Sequence, residues 1–524
     1  MRKLALISIM LLLAVSGAFA QWQPSDDSYT RLDKEGVSEQ MLLKTLRTAD
    51  GKTILTWLRW SEGLTWADPQ AGFYLHLQVF DAAGKALFGD EGIIVSNKPT
   101  ATYATDYGLA LAPNGDILMA YPDARNNVEK VRNDVYAYRY TQQGESVWSA
   151  DGVKVSVEGT AESSVVAPSL CVSGENVYLS MRRGDETSHD IQLTRLNGDG
   201  SRAWDSNLTL ATDMLTMCQA PEGDVYIIYS NATYGLEAQR LNKDKQNVWA
   251  AAVTVEEEPL SGDGSYVEEP LCAVDEEGGV MLAYRKLLTL TGYQVFNRLA
   301  PDGSVLPQAV LGTGSTDGDS GGSVMAVKGQ QSLIAWKQTT EDHQMQVYMN
   351  LFNADGSYAW SDHPLGIVLD AGSEWDYRPV KLIPQSDGWL LLYGDATDWN
   401  AAKFLACKIN DQGEEVWRKQ LGEGDFRSSG FSVVYDDNYA YIFFTRDDDV
   451  SETGETIPGS GGMFVMCVDI TKGASGIHQV RTSRAAQGKV YDLQGRQVNS
   501  QFSILNSQFP KGVVIVNGRK VVMK

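Results

Sequence analysis

Lys408-Ile409-Asn410-Asp411-Gln412-Gly413-Glu414-Glu415-Val416-Trp417 is the stretch that decides how this chain folds. A polar turn built on Asn, Asp and Gly joins two β-prone runs, and a tryptophan follows the turn glycine four residues later. The same frame returns at Gly144/Trp148, Gly200/Trp204 and Gly356/Trp360. Lys245/Trp249 keeps it with the glycine replaced, while Gly84/Phe88 and Gly303/Pro307 keep it with the tryptophan replaced. Gly473 marks an eighth turn without an aromatic partner. From Gly84 onward the turns lie 60, 56, 45, 58, 53, 57 and 60 residues apart. Self-similarity at that period, in short strands, predicts an array of small sheets.

Each unit reads as four strands. Within residues 168–210, Ser169-Leu170-Cys171-Val172 is a strand and Ser173-Gly174-Glu175-Asn176 a turn. Residues 177–181 form a second strand, residues 190–196 alternate with period two, and Asn197-Gly198-Asp199-Gly200 turns into a fourth. One open four-stranded sheet buries too little apolar surface alone, whereas sheets packed in a ring bury both faces. The pattern therefore predicts an all-β fold, a β-propeller of four-stranded antiparallel blades, eight in number with seven as the alternative count. A sandwich or linear array is the competing arrangement. The last unit lacks a fourth strand, so the segment near residues 29–38 is expected to pair with the strand near 463–469 and close the ring.

The glycine-to-tryptophan spacing resembles the tryptophan-docking hairpin of quinoprotein-like, eight-bladed propellers. The resemblance covers roughly ten residues per blade. It implies a structural role for Trp148, Trp204, Trp249, Trp360 and Trp417, each docking on the neighbouring blade. The quinoprotein cofactor is not implied, because its enzymes use a vicinal cysteine pair and none of the five cysteines here adjoins another. No cofactor and no metal site is predicted.

The ends read differently from the body. Arg2 and Lys3 precede an apolar run over residues 4–15, and Ala18-Phe19-Ala20 is a small-x-small cleavage site. Residues 1–20 are thus an expected signal peptide, with no membrane span after cleavage and with the propeller over 21–476. The segment 477–524 holds eight basic residues and one acid. Lys489-Val490-Tyr491-Asp492-Leu493-Gln494-Gly495-Arg496-Gln497-Val498 and Pro510-Lys511-Gly512-Val513-Val514-Ile515-Val516-Asn517-Gly518-Arg519-Lys520-Val521-Val522 resemble the end of the C-terminal sorting domain of type IX secretion cargo. The likeness spans roughly 35 residues and implies the type IX secretion machinery as a partner. It also implies a secreted or cell-surface fate in a Gram-negative bacterium, with the periplasm as alternative. The upstream half of that domain is short here, and Asn-Ser-Gln-Phe repeats at 499–502 and 506–509.

The formal charge is −23; once the +2 of Arg2 and Lys3 and the +7 of 477–524 are set aside, residues 21–476 carry −32. Such a body excludes nucleic acid as a partner. The five cysteines sit singly in apolar runs, without zinc spacing. Gly318-Asp319-Ser320-Gly321-Gly322 has the letters of a serine-protease nucleophile loop but no histidine and aspartate frame to go with it. Asp447-Asp448-Asp449 and Asp317-Gly318-Asp319 match no complete calcium loop.

Function is sought in loop asymmetry. First-to-second and third-to-fourth turns share one face of the ring and are short. Second-to-third loops share the other face, and they are long and variable at 57–72, 121–133, 181–190, 336–345, 393–402 and 444–462. Binding groups concentrate on variable loops held by a rigid scaffold. The blades align an end-of-strand position at Trp57, Tyr121, Met181, Tyr229, Tyr284, Trp336, Tyr393 and Phe444. Two residues on lie Arg59, Asp123, Arg183, Asn231, Lys286, Gln338, Asp395 and Arg446. With Trp60, Trp66 and Trp399, this polar ring is the predicted ligand-binding face, suited to a glycan or a host protein. No catalytic residue is assigned. The leading expectation is a secreted binding module without chemistry. An envelope assembly scaffold is the alternative, as is a polysaccharide hydrolase or lyase using Asp123, Asp185, Asp395 and Asp447.

Overall fold

A computed structural model describes residues 22–473 apart from 35–39, 62, 66–67, 69, 101, 126–131, 158–163, 185–188, 213, 232–234, 258–265, 289–290, 316–319, 341–343, 374–376, 396–402, 423–430 and 447–460. Beyond 473 it describes the backbone of four short strands, Val490–Tyr491, Gln497–Val498, Gly512–Val516 and Arg519–Met523, which form one sheet.

Residues 22–473 form a propeller of eight four-stranded antiparallel blades with almost no helix. Blade 1 comprises Gln40–Arg47, Thr53–Trp60, Phe73–Phe80 and Ile93–Ile94, paired in that order. Blades 2 to 7 follow at 108–154, 164–210, 215–256, 266–315, 320–373 and 377–421, each with its strands in chain order. Blade 8 has Phe431–Tyr435, Tyr439–Arg446 and Gly462–Asp469, and its outer strand is Thr30–Arg31 from the other end of the chain. Thr30 opposes Val465 and Arg31 opposes Phe464. The innermost strands of successive blades touch all the way round, that of blade 8 meeting that of blade 1.

The burial pattern follows from this stacking. The second strands are mainly apolar because a blade packs on each side; Ile117–Asp123 is buried at every position. Eight apolar clusters fill the ring, one at each blade interface. Between blades 6 and 7, for example, Leu333, Met349 and Leu351 pack on Trp389, Leu391 and Cys407.

The hairpin aromatics lie between blades. Trp148 donates its indole N–H to Gly198 O at 3.0 Å, Trp204 to Lys243 O at 2.7 Å, Trp249 to Pro301 O at 3.1 Å and Trp360 to Asp411 O at 2.9 Å. In each case the acceptor lies two residues before the turn position of the next blade. Gly200 shows why that position favours glycine. Its φ is +85°, and a Cβ there would stand 2.9 Å from the Trp148 ring. Lys245 takes the same left-handed conformation, φ +65°, without being glycine. Phe88 lies against Gly144 and Trp417 against Gly473. Gly84 of blade 1 meets Trp22, a residue outside the repeat pattern, so the N-terminal segment brings blade 8 both an outer strand and an aromatic.

Candidate functional site

The eight polar positions close or nearly close the second strands of blades 1 to 8, at the variable-loop end. Most are engaged within their own neighbourhood. Asp123 is 1% exposed and takes a forked ion pair from Arg125, whose guanidinium lies over the Tyr136 ring at 3.5 Å. Arg183 pairs with Asp190 at 2.5 Å, directly across the strand pair. Lys286 reaches Glu256 of blade 4 at 2.7 Å, and the Tyr284 hydroxyl donates to the same carboxylate at 3.0 Å. Gln338 is 1% exposed and accepts from the Trp336 indole at 3.3 Å. Arg446 donates to the Tyr29 hydroxyl at 2.5 Å. Arg59 and Trp60 are half-buried in blade 1, Trp60 edge-on to Phe73 at 5.1 Å. Asp395 ends its strand in register with Lys403. Trp66, Trp399, Asp185 and Asp447 lie outside the described residues, as do the acidic runs at 317–319 and 447–449.

Asn231 is placed differently, in the wall of a cleft between blades 3 and 4. The cleft has a volume of about 370 Å³ and is lined by Leu210, Ala211, Thr212, Tyr229, Ser230, Asn231 and Glu237. Its origin is local. The second and third strands of blade 4, Val225–Ser230 and Leu236–Leu241, have six residues each, against seven to nine in every other blade. Tyr229 is therefore half-buried, while its counterparts in the other seven blades are 3% exposed or less.

Polar groups converge in this cleft. Tyr229 donates its hydroxyl to Glu237 Oε2 at 3.0 Å, and the Asn231 amide approaches Oε1 at 3.4 Å. Burial, then the bond to Glu237, pushes the Tyr229 phenol up to about 12, so it remains a neutral donor. The Thr212 and Ser230 hydroxyls meet at 2.6 Å, joining the blade 3 to blade 4 link to the strand end. The Asn231 side chain also accepts from Gly235 N at 2.9 Å, which fixes the short turn. Alignment of the blades singled out Asn231, marked Tyr229 only as an end-of-strand position and passed over Glu237. The signal was in the spacing: Gly200 to Lys245 is 45 residues, the shortest interval in the array. Among the described residues no cluster of three His, Cys, Asp or Glu side chains is arranged to hold a metal ion, and no helix is long and apolar enough to cross a membrane.

No protein-family model and no curated sequence matches the chain. Among solved structures it is similar to a eukaryotic initiation factor, at 8% identity over 85% of this chain and 92% of that one, TM-score 0.41. It is also similar to the polysaccharide lyase Uly1, at 11% identity over 87% and 95%, TM-score 0.38. A third is the Hadza microbial sialidase Hz136, at 12% identity over 87% and 99%, TM-score 0.34. Likeness at this level concerns the fold and selects no function for it.

Proposed function

We propose that this chain is an exported, non-catalytic propeller that binds a glycan at its variable-loop face, in the cleft between blades 3 and 4. The observation that carries this reading is the make-up of the cleft. Hydroxyl, amide and carboxylate groups sit beside an aromatic ring and two small apolar side chains, a set that hydrogen-bonds and stacks a sugar. Hydrolysis by the common two-carboxylate route needs a facing pair roughly 5–10 Å apart, and among the described residues the cleft lining has one carboxylate, Glu237. Residues 1–20 act in this reading as the export signal and 477–524 as a shortened type IX sorting domain. The tryptophan hairpins serve as quinoprotein-like docking elements without that family's cofactor. A glycan array probed with the mature chain and with its Asn231→Leu variant tests the assignment. Wild type should give a defined set of positive glycans that N231L loses; a blank array, or positives indifferent to N231L, would remove the cleft from consideration.

A further inference from the structure

Among the described residues, Glu237 is the one charged side chain lining the blade 3 to blade 4 cleft. Its described partners are the neutral Tyr229 hydroxyl and Asn231 amide, and it has no ion pair within the described residues. An ionised carboxylate offers about four lone-pair sites, so these two donors leave capacity for more. Tyr229 holds its proton and does not neutralise the charge. The surrounding body adds a strongly negative field, with −32 over residues 21–476. A half-buried carboxylate with spare acceptor capacity in an acidic protein is a favourable place for a cation.

We propose that the cleft selects glycans carrying a free amine, that is, 2-amino-2-deoxy sugar units, and binds them in the ammonium form. The ammonium pairs with Glu237, and the sugar ring lies along Tyr229, Leu210 and Ala211. This rests on the glycan reading above and narrows it. A lysine side chain would bring the same ammonium, but the hydroxyl and amide groups of Thr212, Ser230 and Asn231 around the carboxylate suit a hydroxylated ring better than an alkyl stem.

Titration calorimetry of the mature chain with three β-1,4-linked tetrasaccharides tests this. The glucosamine, N-acetylglucosamine and glucose oligomers differ at C2 alone. The glucosamine oligomer should bind at least about tenfold more tightly than either neutral one, the scale of one charge-assisted bond. The preference should weaken with salt and vanish in Glu237→Gln, which keeps the acceptor oxygen and loses the charge, with melting temperature unchanged. Equal binding of all three, indifferent to E237Q, would overturn the amine inference and leave the glycan reading standing. Failure of all three, with a blank glycan array, would overturn both. Glu237-dependent binding of tetralysine in place of the sugars would reassign the cleft to a peptide and likewise overturn the proposal.

Discussion

At the level of single residues, position in the ring decides consequence. Trp360 is nearly buried and bonds across to blade 7, whereas Val416, one residue before the next hairpin tryptophan, is 55% exposed. Trp360→Ala should cost about 3–5 kcal/mol in chemical denaturation, and Val416→Ala no more than about 0.5 kcal/mol; equal losses would mean that the inter-blade aromatics contribute nothing special. His76 gives a pH signature. It stacks on Trp57 at 5.1 Å, its Nδ1 has no partner among the described residues, and burial, then the charge of Arg59, lowers its pKa to about 4, with Glu91 opposing. The unfolded chain binds this proton with a pKa near 6.5, so the unfolded state takes up more protons between about 4 and 6.5. The associated stability is complete above that window and is lost as pH falls through it, by about 3 kcal/mol. His76→Phe should flatten the drop in melting temperature relative to wild type between those pH values; an identical drop would rule His76 out as its source. The residue-level part of the proposed binding site was the least legible. Glu237 and Tyr229 line the cleft because strands around them are short, and an absence leaves no motif. Asp123 and Gln338 have the polarity of ligand contacts but spend it on Arg125 and Trp336.

At the level of elements, blade 8 is the informative one. Its outer strand, Thr30–Arg31, is two residues long, yet further contacts hold the same segment. Ser25 N bonds to Cys467 O at 2.9 Å and Leu32 N to Met463 O at 2.8 Å. Asp26 pairs with Lys419 of blade 7 at 2.7 Å, and Tyr29 wedges edge-on between Phe444 and Phe464. Trp22 completes the set against Gly84. Removing residues 22–33 should destabilise the protein more than Trp360→Ala and leave the Gly462–Asp469 edge open to aggregation. Light scattering and thermal melts would check it, and an unchanged melt would sink the claim that this segment closes the ring. The pairing near 463–469 was legible in the sequence, because a blade short of a strand has to find one. Trp22 was not, because it stands outside the repeat frame and its spacing to any turn glycine is uninformative.

At the level of the whole molecule, the period of the hairpins was enough to number the blades, since every interface repeats one physical solution: apolar strands clamped between neighbours. What distinguishes the blades was not legible, because lengths of strands and loops vary without a code. The acidic body makes a global prediction. Self-repulsion within residues 21–476 should make the melting temperature rise as salt is added at low ionic strength, and removing the basic segment 477–524 should enlarge that rise; a flat salt response would show the charges to be dispersed too widely to matter. The pairing of Thr30 with Val465 has a further consequence, in time. Blades 1 to 7 are complete from local hairpins as soon as each is synthesised, but Thr30 and Arg31 must wait for Val465 and Phe464. Loop-closure entropy grows only as about (3/2)RT ln n, so the equilibrium tolerates so distant a partner. The kinetics carry the burden instead: an open-ended arc of blades persists until residues 462–469 have been made, and the seam between blades 8 and 1 is the last to knit.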